Sequence, residues 1–162
     1  MSLITRAGSL AYGLAAVVVI VDQAVKSWVV NGLRLEVGVP HPVWGPLRLT
    51  LVENPGVSFG MFQGDAPWIR WALAAFSLGV AIALAVWVRR AGKLYTGLAL
   101  GLIIGGAVGN LIDRVRSGLV VDFVDVTAMH FPWVFNVADS AITVGIALLL
   151  AESFFAPRVK AA

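Results

Sequence analysis

Apolar positions along the chain gather into four long runs. The first covers residues 7–21 and continues past Asp22 and Lys26 to Trp28, Val29 and Val30, so a helix over about 8–30 is expected, with two charges in its second half. The others predict helices over about 68–88, 94–113 and 133–155. Each is long enough for a bilayer core, which takes about 20 helical residues. Arg6 precedes the first run, but no small-x-small exit into a soluble domain follows, so this run reads as a retained span rather than a cleaved leader. Between the first two runs the period changes. Residues 33–37 and 47–51 alternate apolar and polar side chains, as half-buried strands do, around a segment rich in turn formers, 38–46. These features predict an all-α membrane protein: four transmembrane helices with a small extracytoplasmic antiparallel β-sheet between helices 1 and 2. One domain is expected over 1–162, with outer loops at 31–67 and 114–132. In the second loop, Ser117-Gly118 suggests a turn and 124–129 a short helix or loop. Residues 156–162 read as a frayed tail.

Composition agrees with a lipid solvent. The chain is 59% hydrophobic and 13% charged with a mean hydropathy of +0.89, against about 45–50% and about 25% in soluble domains. No cysteine is present, which excludes disulfides, thiolate chemistry and a zinc ribbon. The net charge of +3 is better read as an orientation signal than as a nucleic-acid footprint. Arg6, Arg89, Arg90, Lys93, Arg158 and Lys160 fall on one side of the four-span map against Glu152 alone, so both termini are expected in the cytoplasm. Trp28, Trp68, Trp71 and Trp133 then fall at outer span ends, where indole rings favour the headgroup level. Gly97, Gly101, Gly105 and Gly109 recur every four residues in the third span, a row suited to close helix packing.

The candidate chemistry lies in residues that lipid disfavours. An ionisable group at the bilayer centre costs about 2.5–3.5 kcal/mol on insertion scales, so each needs a partner, a wet cavity or a function. Asp22, Asp113, Asp122 and Asp139 all fall toward the outer side. Asp22 and Lys26, four residues apart, can pair on one helix face. Asn110, Asp113 and Arg114 can present an amide, a carboxylate and a guanidinium at one helix end. Asp139 lies six residues beyond Trp133, about 9 Å down a helix starting there, and no Lys or Arg occurs between Arg116 and Arg158 to neutralise it. A second carboxyl such as Asp122 is the other candidate partner. Two carboxyls in a low-dielectric pocket share one proton and can act as acid and base together. His41 and His130 lack ligand spacing, so neither a metal nor a cofactor is expected. Spacing alone leaves three readings open: a catalytic carboxyl pair, a small proton-coupled membrane transporter using the buried aspartates, or a structural polar network.

The chain resembles the lipoprotein signal peptidase (signal peptidase II) family, intramembrane aspartyl peptidases of bacteria. The resemblance rests on residues 110–114 (Asn-Leu-Ile-Asp-Arg), 118–123 (Gly-Leu-Val-Val-Asp-Phe) and 135–140 (Phe-Asn-Val-Ala-Asp-Ser), with Asp22…Lys26 and 53–59 (Glu-Asn-Pro-Gly-Val-Ser-Phe) in support. Where many relatives carry two small residues after Asn-Pro-Gly, this chain has Val57-Ser58. The resemblance implies that Asp122 and Asp139 are the catalytic carboxyls, and that Asn54, Gly56, Asn110, Asp113, Arg114 and Asn136 are polar support. Asp22 and Lys26 correspond to the first-helix pair. It further implies hydrolysis of the bond before a diacylglyceryl-modified cysteine in a prolipoprotein, at a site near the outer leaflet of the bacterial inner membrane. The chain is expected to act as a monomer among membrane lipids, with no nucleic-acid partner.

Overall fold

The structure, a computed structural model, describes residues 4–56 and 67–155. Residues Val57, Ser58 and Phe59 of the loop motif and the tail 156–162 lie outside them. Among the described residues, four helices are long and apolar enough to cross a membrane. They are α1 (Arg6–Ser27), extended by a wider π-helical stretch Trp28–Leu33, then α2 (Pro67–Val88), α3 (Leu94–Arg116) and α4 (Val137–Phe155).

The helix α3 is central, packing against α1, α2 and α4. Lipid tails supply no hydrophobic drive between helices, so association depends on how closely the backbones fit. The glycine row provides that fit on the α1 side. A Cβ on Gly101 would stand 2.6 Å from the Ala11 carbonyl oxygen, and one on Gly97 2.7 Å from that of Ala7. Gly106 does the same toward α4, where its backbone faces the Ala138 carbonyl. The N-terminus of α1 meets the α2–α3 turn: Thr5 N–H donates to the Arg89 carbonyl at 3.1 Å, and Thr5 Oγ1 to that of Ala91 at 2.8 Å. The far end of α4 joins them through the Lys93–Glu152 ion pair at 2.9 Å.

The opposite end carries one four-stranded antiparallel sheet of β1 (His41–Trp44), β2 (Leu47–Asn54), β3 (Val120–Asp125) and β4 (Val134–Phe135), in that spatial order. Its position differs from the sequence expectation in three ways. The first strand is not 33–37, which ends the π-helical stretch and makes only the isolated bridge Val37–Leu51; it is 41–44, inside the expected turn. The sheet is not confined to the loop between helices 1 and 2, since β3 and β4 come from the second loop and β3 takes a central place. The last helix begins at Val137 rather than Trp133, because 134–135 pair with β3. Asp139 therefore stands in the first turn of α4, not two turns below its start. The helix α3 also runs on to Arg116. Val29, Leu51 and Phe123 form a small buried core that seats the sheet on the end of α1.

Candidate active site

At the sheet end, α1, α3, β3 and α4 converge on a buried polar network. Asp22 is fully buried and Lys26 nearly so. Lys26 Nζ lies 2.8 Å from Asp22 Oδ2 and 2.7 Å from Asp113 Oδ2, and donates to Asn110 Oδ1 at 3.0 Å. Its three protons are thereby committed. Asp22 also accepts the Ala138 N–H at 2.9 Å, so a carboxylate from the first span caps the first turn of the last. A helix N-terminus, with unpaired N–H groups and a positive dipole end, suits such an anion. The absent side chain at Gly109 makes the space, since a Cβ there would meet Asp22 Oδ2 at 2.8 Å.

Because Lys26 can only donate, Asn110 turns its carbonyl toward Lys26 and its amide nitrogen toward Asp139, giving an Asn110 Nδ2 to Asp139 Oδ1 bond of 2.7 Å. Asn136, just before α4, works the same way. Its Oδ1 accepts the Asp139 N–H at 2.8 Å in the manner of an N-cap. Its Nδ2 donates to Asp122 Oδ1 at 2.7 Å and also approaches Asn110 Oδ1 at 3.2 Å. Asp122 pairs with Val52 in the β2–β3 ladder and receives Nδ2 of its diagonal neighbour Asn54 on Oδ2 at 2.9 Å. Asn54 Oδ1 in turn accepts the Gly56 N–H at 3.0 Å, which fixes the direction of that amide. Arg114 Nη2 donates to the Gly56 carbonyl at 3.2 Å, so this guanidinium steadies the 54–56 turn.

Both oxygens of Asp122 are thus held by amide donors, whereas Asp139 is held at Oδ1 and its buried Oδ2 has no hydrogen-bond partner among the described residues. Burial pushes the Asp122 carboxyl up to about 7; the nearby charge of Asp139 adds to this, while Asn54 and Asn136 oppose it. The charge of Asp139 thus reaches Asp122, and Asn136 links the two residues, donating to the Asp122 carboxyl and accepting the Asp139 N–H.

All ten residues singled out in the sequence lie in this region, joined by the contacts above. Three others were missed. Gln23 Nε2 donates to Asp113 Oδ1 at 2.8 Å and approaches the Gly109 carbonyl at 3.2 Å. Arg70 donates to the Arg114 and Val115 carbonyls at 2.7 and 2.6 Å, closing the end of α3. Asp125 forms a second knot with Thr50 and Thr127; burial presses its carboxyl up, but those hydrogen bonds together outweigh it and hold Asp125 below the ordinary range. The signal for Gln23 was available, since an amide within an apolar span raises the same question as a charge.

A proton-coupled transporter would need a polar route through the bundle. The central stretch of α3 from Gly97 to Gly109 carries no polar side chain, and the opposite end closes on the Lys93–Glu152 pair.

Residues 14–155 match the sequence pattern of the family described as signal peptidase (SPase) II. The chain is 52% identical to a lipoprotein signal peptidase of Caulobacter vibrioides, covering 97% of this chain and 94% of the relative. It is 41% identical to one from Brevibacillus brevis, covering 88% and 93%. A solved bacterial membrane enzyme, determined by the in meso method, superimposes with a TM-score of 0.79 at 29% identity, covering 95% of this chain and 94% of that one. A four-helix membrane bundle with a small sheet, together with these matches, places the chain in the signal peptidase II family.

Proposed function

We propose that the chain is an aspartyl endopeptidase that removes the signal peptide from membrane prolipoproteins, with Asp122 and Asp139 as its catalytic carboxyls. Signal-peptide removal rests on family membership. The assignment of the two aspartates is carried by one observation above all: the buried Oδ2 of Asp139, without a partner among the described residues, in a network where both oxygens of Asp122 are already held. The bond cut is the one before the diacylglyceryl-modified cysteine, as the family resemblance implies.

In this mechanism the pair holds one proton. Its ionised member takes a proton from water as the oxygen attacks the scissile carbonyl carbon. The protonated member donates a hydrogen bond to the developing oxyanion, and a proton passes to the amine as the C–N bond breaks. Lys26, Asn110 and Asn136 touch the carboxyls or their amide partners and hold them in place. Asn54, Gly56 and Arg114 support Asp122 from the other side, while Asp22 and Asp113 balance Lys26. The sheet end faces outward and both termini lie in the cytoplasm, so a membrane-embedded substrate enters sideways with its acyl chains still in lipid. A single copy supplies every residue of the site.

The test is purified protein in detergent or lipid with a diacylglyceryl-cysteine prolipoprotein, read by gel shift. Asp122→Asn and Asp139→Asn are each expected to lower turnover by about 10³-fold or more, with the thermal midpoint and substrate retention little changed. Normal processing by either variant would remove that residue from the pair.

A further inference from the structure

Beyond the acid network, a cavity of about 220 Å³ opens at the sheet end, lined by Gln23, Lys26, Ser27 and Asn31 of the first helix and by Arg116 at the end of α3, with Val30 in its wall. None of Asp122, Asp139, Asn54 and Arg114 lines it. Its charges are unequal in availability. Lys26 is fully committed to Asp22, Asp113 and Asn110. The carboxylate of Asp113 is spoken for by Gln23, Lys26 and the Val121 N–H. Arg116 is exposed and, among the described residues, forms no ion pair; its guanidinium reaches only Gln23 Oε1, at 3.5 Å. One uncommitted cation thus sits beside the Ser27 hydroxyl and the Asn31 amide, which bond only each other, at 3.2 Å.

The surface leading into this cavity is apolar. Val17, Ile20, Ala24, Ser27 and Asn31 follow one stripe of the first helix, and Val17 and Ile20 are 54% and 67% exposed. The polar mouth begins where the aliphatic stripe ends. Trp28, 55% exposed on the neighbouring face, marks the headgroup level at that height. A ligand that fits both parts has hydrocarbon chains and a phosphate, the group a planar guanidinium binds through paired N–H donors.

We propose that this cavity binds the phosphodiester headgroup of a bilayer phospholipid, held by Arg116 with Ser27 and Asn31, its acyl chains lying along the exposed stripe of α1. This site stands apart from the peptidase reading and does not depend on it. The test uses the full chain in detergent micelles with added phosphatidylglycerol, followed by native mass spectrometry. The intact protein is expected to retain one lipid, with Arg116→Ala weakening retention by about tenfold or more and Arg116→Lys by less, since charge remains and the paired geometry goes. Thermal midpoints measured alongside confirm that the variants are folded. Glycerol phosphate at the same concentration is expected to leave the lipid in place. Equal retention by the intact protein and Arg116→Ala would overturn the site, and displacement by glycerol phosphate would overturn the lipid in favour of a soluble phosphate ester.

Discussion

The two ends of the helix bundle hold together by different physics. In the half next to the α2–α3 turn, α1 and α3 meet through glycines and alanines, backbone against backbone, and the contacts carry no direction beyond shape. In the half next to the sheet the same two helices meet through Asp22, Gln23, Lys26, Asn110 and Asp113, and every contact there depends on which atom donates and which accepts. Close packing gives the frame rigidity where nothing reacts. Directed hydrogen bonds orient the two carboxyls that the proposed mechanism uses. Gly109 belongs to both systems, since it continues the glycine row and makes room for the Asp22 carboxylate.

That contrast can be broken from either side. Lys26→Met strands two buried carboxylates without a counterion, a loss of about 3–5 kcal/mol; a drop in thermal midpoint together with lost turnover is expected, and unchanged melting would show the network to be dispensable. Gly101→Leu strikes the other half, driving a side chain into the Ala11 carbonyl at a cost of about 3 kcal/mol. In that variant melting should fall while the turnover of the remaining folded protein persists, separating frame from chemistry. Asn54→Leu removes a donor that stabilises the Asp122 carboxylate. In the proposed mechanism the pair must hold its proton, so turnover is expected to fall as pH rises through about 7; without Asn54 the carboxyl holds its proton longer and this alkaline limb should move to higher pH. An unmoved limb would detach Asn54 from the proton. The stability sign agrees, because an acid whose folded-state affinity for its proton is raised contributes most at low pH and loses that contribution as pH climbs toward about 7. Tyr12→Phe is the mildest change, removing a 2.6 Å bond to the Ala85 carbonyl at about 1 kcal/mol, with turnover unaffected.

The spans were legible because lipid demands long apolar runs, and the aspartates because lipid penalises charge. The sheet was less so. Pro42 within His41–Trp44 argued for a turn, yet β1 lies at the sheet edge, where a missing N–H costs no ladder bond. Val120–Asp125 was placed in an outer loop because its residues do not alternate as those of a half-buried strand do; its mostly apolar run also fits a central strand covered on both sides, and four of its six residues are buried. The start of α4 was misplaced because Trp133, Val134 and Phe135 are as oily as the helix that follows. The stop was written in Asn136, a capping residue three positions before Asp139. Gln23 escaped because, within the first span, only the charged pair Asp22 and Lys26 was weighed.

The bond from Ala138 N–H to Asp22 joins the first and the last of the four described spans, which lie more than a hundred residues apart in the chain. Asp139 arrives on that final segment, and its amide partner Asn110 waits on the one before. On the proposed mechanism, a chain cut before residue 137 lacks Asp139 and therefore one carboxyl of the pair. If the proposed pair is correct, supplying the last segment as a separate peptide to a chain truncated ahead of it restores cleavage only by rebuilding that bond between α1 and α4.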